Sequence, residues 1–219
     1  MTARSMLEQI LKSGSDALGG SEMSKYGTGA AVGGALAMLL GPKRGASRKL
    51  LQVGSVAALG ALAWRAYQDH QARQAAAGRA PAAAPAPAAL AAPSFDRLPA
   101  PQAEQHSQAM LKAMIAAAKA DGHLDERERG LLEGELHRLE ADPAMRAWVD
   151  AELRRPVEPA EVAAAAASPE IAAEIYLATL LVVDDKSTME RAYLEELARH
   201  LKLAPALKAD LEARAAAGV

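Results

Sequence analysis

Cysteine is absent from the 219 residues, which removes a disulfide framework, a thiolate metal site and a cysteine nucleophile together. Aromatic residues make up only 3% of the chain, and no six-residue stretch alternates as a half-buried strand would. Alanine, which carries the smallest helix cost, is abundant, and i, i+3, i+4 apolar spacing recurs through the C-terminal half. The expected fold class is therefore all-α. No glycine-rich phosphate loop joins a strand to a helix, no His-x-x-x-His pair occurs, and neither serine nor histidine stands in a nucleophile-elbow context. These absences outline no active site, and the chain is expected not to be an enzyme.

A net charge of −2 conceals a polarity. Residues 1–104 hold eleven Lys/Arg against six Asp/Glu, a net +5; residues 105–219 hold fourteen against twenty-one, a net −7. A basic front beside apolar sequence suits an anionic lipid surface. The acidic back half argues against nucleic acid, whose phosphates call for a basic footprint.

Residues 1–25 contain a weak amphipathic segment carrying Met6, Leu7, Ile10, Leu11 and Leu18. Basic start, apolar run and small-residue cleavage site do not follow in order, so it reads as retained rather than as a signal peptide. Residues 26–68 read as a helical hairpin in membrane lipid. Tyr26 to Gly41 is uncharged and meets Lys43, Arg44, Arg48 and Lys49; Leu50 to Ala63 is again uncharged and ends in Trp64, Arg65 and Tyr67. Spanning takes ~17–25 apolar residues; counted on through Trp64 to Tyr67 the second segment nearly qualifies on its own, and the first stops short at Gly41. Tyr26, Trp64 and Tyr67 stand at the outer edges, where interfacial rings belong. Gly29, Gly33, Ala37 and Gly41 recur every four residues, a spacing that lets helix backbones touch in lipid and suits a homo-oligomer.

Residues 69–104 read as a Pro/Ala-rich, disordered linker. Six of the twelve prolines lie between Pro81 and Pro101, a composition that stays extended and buries too little to fold. From 105 to 217 the helical pattern is clean, with seven helices expected near 105–120, 125–140, 143–153, 158–167, 169–183, 187–201 and 205–216. Gly122 can end the first. Asp142-Pro143 and Ser168-Pro169 each place a capping side chain before a proline at the first helical position. Two stretches within this domain are alike: Met114–Leu139 and Ile175–Leu203 each run an apolar helix into an acidic turn and out along an amphipathic helix. Two such hairpins about a pseudo-twofold would bury their stripes against each other.

ADGHLDERE, VVDDKSTMERAYLEELARHLKL and the preceding KYGTGAAVGGALAMLLGPKRGASRKLLQVGSVAALGALAW together resemble the YebE-type inner-membrane proteins. These carry a C-terminal domain similar to the tellurite-resistance protein TerB. The resemblance implies an all-helical fold and placement in a bacterial inner membrane; it brings no established reaction. It also implies a divalent cation, calcium or magnesium, held by Asp121, Glu128, Asp184 and Glu190, with Asp125 and Asp185 as neighbours. Hard cations take oxygen ligands from several carboxylates. A second reading stands beside this one. Asp125-x-x-Glu128 and Ser187-x-x-Glu190 are capping boxes, and acids in a first turn are favoured by the helix dipole. His123 reads most simply as a solvated turn residue, and His137 and His200 as cations near helix ends.

The expected function is a membrane-anchored interaction or sensing module that contacts lipid and an unknown protein partner. The rival readings are a metal-dependent enzyme built on the acidic cluster, and a structural membrane oligomer with a soluble cap. Basic residues near a span stay cytoplasmic, and the cluster from Lys43 to Lys49 then places the C-terminal domain in the periplasm.

Overall fold

The computed structural model describes residues 2–8, 56–77, 99–120, 130, 141–183 and 187–217. Among them are eight helices and no strand: α1 (residues 3–8), α2 (Val56–Ala77), α3 (Ala100–Ala118), α4 (Pro143–Arg154), α5 (Pro159–Ala163), α6 (Pro169–Val182), α7 (Thr188–His200) and α8 (Pro205–Ala217). The expected 125–140 helix, Gly130 apart, and Gly122 lie outside the described residues, as does the whole first apolar segment.

The architecture follows from α6. Its sequence, PEIAAEIYLATLLV, has no polar face, and every residue from Ala172 to Val182 is buried. A helix that is apolar all round has to be surrounded. Here α2, α3, α7 and α8 pack around it, while α4 and α5 lie against α3. Ile175, Tyr176, Leu177 and Leu181 are fully buried at its centre. The partners of α6 are amphipathic: α7 turns Tyr193, Leu194, Leu197 and Ala198 inward, and α8 turns Leu207, Leu211 and Ala215. The leading helices of the two look-alike stretches, α3 and α6, pack directly on each other.

Helix boundaries sit where local chemistry puts them. Asp142 Oδ1 accepts from the Met145 amide at 2.8 Å, and this bond holds its carboxyl below the ordinary carboxylate range. Ser168 Oγ accepts from the Ile171 amide at 3.3 Å. Prolines occupy the first positions of α4, α5, α6 and α8, where a missing N–H costs nothing. The end of α7 is closed by paired bonds from the Lys202 amide to Arg199 O and the Leu203 amide to Ala198 O, each 3.1 Å. Lys202 takes φ 55° to make this turn, the left-handed position that usually falls to glycine.

Three elements differ from expectation. The hairpin and linker were expected to meet at 68/69, but α2 runs unbroken to Ala77. Its inward stripe of Leu59, Ala63, Ala66 and His70 crosses that boundary at helical spacing, so the packing carries the helix on where a linker was expected. Helix α3 begins at Ala100, inside the expected linker, because Pro99 and the Pro at its first turn fit a helix start. Helix α5 ends at Ala163 rather than 167, its carbonyls closed by tighter turns at Ala165 and Ala166. No helix among the described residues is long and apolar enough to cross a membrane.

The chain's front end is tied in as well. Ala3, Met6 and Leu7 of the N-terminal amphipathic segment are buried. The Glu104 carboxylate accepts from the Ala3 amide at 2.7 Å and the Arg4 amide at 3.3 Å. A carboxylate at the open amides of a helix start is favoured by hydrogen bonding and by the dipole.

Candidate functional site

Of the four residues expected to hold a cation, Asp121, Glu128 and Asp184 lie outside the described residues, as do Asp125 and Asp185. Glu190 is described and buried. Its Oε2 accepts from the Ser187 amide at 3.1 Å while Ser187 Oγ accepts from the Glu190 amide at 3.0 Å, a complete capping box at the start of α7. The cap accounts for Glu190 without an ion. Among the described residues, no group of three or more His, Asp or Glu side chains could hold a metal. His200 stands in the last turn of α7. Gly29, Gly33, Ala37 and Gly41 are outside the described residues.

Polar chemistry within the core gathers elsewhere, where α2, α3 and α6 meet. Glu174 is the single charged residue in the buried run of α6, and its Oε2 stands 2.8 Å from His106 Nε2 on α3. The two side chains are 7% and 8% exposed. Carboxylates are almost never this buried unless paired, and the imidazole supplies that partner. Gly60 of α2 closes the third side. A Cβ built there would lie 3.1 Å from Glu174 Oε1 and 3.6 Å from its Cδ. A side chain there would press the carboxylate back by a few tenths of an ångström, so glycine lets the α2 backbone approach it without that shift. Glu174 Oε1 and, one turn after Gly60, Trp64 Nε1 are both buried without a hydrogen-bond partner among the described residues.

Ion pairs hold the far end of α2. Arg214 of α8 bonds Asp69 at 2.7 Å and Asp210 at 3.0 Å, and Arg73 stands 3.8 Å from Asp210. Trp64 and Tyr67, expected at a membrane edge, are partly buried with ring centroids 6.4 Å apart; Gln71 donates to the Tyr67 hydroxyl at 2.7 Å. Under α6, the Tyr176 hydroxyl donates to Glu212 at 2.9 Å. Burial, then that carboxylate, drives the Tyr176 phenol far above its ordinary range, and burial does the same to Tyr193. On the opposite flank, a shallow cleft between α3, α4 and α5 is bordered by Lys112, Lys119, Glu152 and Glu161. Lys119 Nζ donates to Glu152 O at 3.0 Å and also to Arg155 O, closing the carbonyl end of α4.

Sequence reasoning missed His106, Glu174 and Gly60 as a unit. One signal was present: a lone glutamate inside IAAEIYLATLLVV, on a helix with no face to offer solvent. Nothing in the sequence pointed from it to His106, 68 positions earlier.

The fold is thus an all-helical bundle around one buried helix, with a carboxylate–imidazole pair at its centre and an upstream helix laid over that pair. The chain belongs to the family described as "protein of unknown function (DUF533)", whose model matches residues 25–215. That family is related to the TerB-like tellurite-resistance proteins. A Yersinia enterocolitica protein described as an "uncharacterized protein in ampR 5'region" is 29% identical over 100 residues, covering 46% of this chain and 72% of its own length. No solved structure matches the chain.

Proposed function

We propose that the chain is a YebE-type, membrane-anchored interaction or sensing module. Residues before Val56 associate with lipid, and the helical domain meets a protein partner, with the acidic turns at Asp121 and Asp184 as the place for a regulatory divalent cation. The observation that carries this reading is the seating of α2. The uncharged stretch from Leu50 to Ala63 passes directly into a helix packed on the central α6. What happens to the apolar sequence upstream is therefore transmitted to the domain through a helix, where a flexible tether would have isolated the two. The basic cluster Lys43, Arg44, Arg48 and Lys49 favours an anionic surface at that end; with α2 docked on the domain instead of spanning, the periplasmic placement loses its second crossing, and the charge bias keeps the domain on the cytoplasmic side with the cluster.

Membrane fractionation combined with single-cysteine labelling tests this. Ser47→Cys and the exposed Ala206→Cys are made separately in the cysteine-free chain and treated in intact cells with a membrane-impermeant thiol reagent. The expected result is a protein in the salt-washed membrane fraction, with 206 and 47 both protected. Recovery in the soluble fraction refutes the anchor; labelling at 206 with 47 protected requires a crossing between them and refutes the docked α2 as the link, and labelling at both refutes the cytoplasmic placement.

A further inference from the structure

We propose that α2 is a releasable strap, seated on α6 over a buried charge and able to leave as a unit while the remaining core stays folded. The seat has two unlike parts. One is an apolar stripe of Leu59, Ala63 and Ala66, each at most 2% exposed. The other is the Glu174 carboxylate, which the docked helix shuts from water, its Oε1 having no hydrogen bond among the described residues.

Sealing a carboxylate in this way carries a desolvation penalty that its single imidazole contact offsets only in part, because the remaining lone pairs stay unsatisfied. Lifting α2 lets water reach Oε1 and removes that penalty. The cost brought by α7 is that of a neutral group, the buried Tyr193 hydroxyl, and not of a charge. α7 meets α6 mainly with leucines and alanine, and the polar contact from α8 is a formed bond to Tyr176. Gly60 identifies the carboxylate as a feature the strap is shaped around, since any side chain at that position meets Oε1.

The outer clamp is of the weak kind. Asp69 is 45% exposed and Arg73 61%, so their ion pairs with α8 are solvated and add little. Local openings of this sort involve contiguous units joined to the core by few strong contacts. α2 is also separated in sequence from α3 by the 22 residues between Ala77 and Ala100, so its departure does not require α3 to unwind. The proposal deepens the reading of α2 as the link between anchor and domain, but it concerns only the packing of α2, and its test does not depend on where the protein resides.

Hydrogen exchange of the full chain in mild detergent, read by mass spectrometry, decides it. Amides of residues 58–70 are compared with those of residues 172–182 at several low denaturant concentrations. In the parent chain the α2 amides should exchange at least about tenfold faster than α6, by an opening whose denaturant dependence is measurable but smaller than that of α6. Replacing both buried groups, His106→Leu with Glu174→Met, should slow α2 exchange about tenfold or more, because the penalty is gone. His106→Leu alone, which leaves the carboxylate uncompensated, should speed it. Gly60→Leu, which alters no residue of α3 or α6, should leave α2 unprotected with α6 still protected, and it settles the question even if the double replacement misfolds. The proposal is overturned if α2 and α6 exchange together in the parent, or if the folded double variant exchanges no more slowly in α2. It is equally overturned if Gly60→Leu strips protection from both helices or from neither.

Discussion

Replacing Gly60 by alanine sets two known quantities against each other. In the interior of a helix, alanine is favoured over glycine by ~1 kcal/mol. The added methyl, however, would sit 3.1 Å from Glu174 Oε1 and 3.6 Å from Cδ, closer than carbon and oxygen pack at rest. To make room the carboxylate has to move by a few tenths of an ångström, against the 2.8 Å contact that holds its other oxygen to His106. The expected gain in the parent chain is therefore cancelled or reversed. In a Glu174→Ala background the obstructing atoms are gone, and the same substitution should return its full ~1 kcal/mol. The double-mutant cycle should show a coupling of about 1 kcal/mol, above the ~0.3–0.5 kcal/mol within which independent sites add. Urea unfolding followed by far-UV circular dichroism measures it, with the slopes checked for equality so that midpoints report stability alone. If Gly60→Ala stabilises both backgrounds equally, α2 does not approach Glu174 as described, and the account of the seat fails.

Ser187→Ala removes the reciprocal cap of α7 and should cost about 1 kcal/mol in the same unfolding assay. Lys202→Gly relieves the left-handed residue after α7 and should stabilise the chain by up to ~1 kcal/mol, whereas Lys202→Ala should bring no such gain. Tyr176 and Tyr193 are raised in the folded state, so their stabilising effect is intact below the ordinary phenol range near ~10 and is lost as pH rises beyond it. Absorbance titration near the phenolate band should show both ionising only together with alkaline unfolding, not before it. Millimolar calcium or magnesium should raise the thermal midpoint if the acidic turns hold a cation, as any ligand of the folded state does, and Asp121→Asn with Asp184→Asn should abolish the shift. An unchanged midpoint with every divalent ion would leave only the capping role.

What could be read in advance was whatever is decided within a few residues. The caps at Asp142, Ser168 and Ser187 follow from a side-chain oxygen meeting an amide three positions on, and Pro143, Pro169 and Pro205 mark starts because φ and the absent N–H suit them. The buried status of α6 was legible in the same way, since a run with no polar face has no exposed orientation. The pairing of Glu174 with His106 was not, because it depends on how α3 and α6 come together and no local pattern encodes that. At Glu190 a capping box and a metal role are both compatible with the sequence; the observed hydrogen bonds supply a complete local explanation for that one position.

The misplaced boundary at 68/69 has a more general cause. A stretch such as LLQVGSVAALGALA meets the demand of lipid and the demand of a protein core equally well, since both require the removal of charge and neither imposes a polar face on so short a run. Trp64, Arg65 and Tyr67 then looked like an interfacial edge. The discriminating signal lay past that edge. A membrane helix has no reason to keep Leu59, Ala63, Ala66 and His70 on one line into polar sequence, whereas a helix docked on a bundle does, because its seat continues for as long as its neighbour does. Here α8 extends the seat through Arg214, which reaches Asp69 at 2.7 Å. An apolar segment whose stripe persists beyond its apolar limit is thus better assigned by the stripe than by the limit, and the same segment can serve lipid at one end and protein at the other.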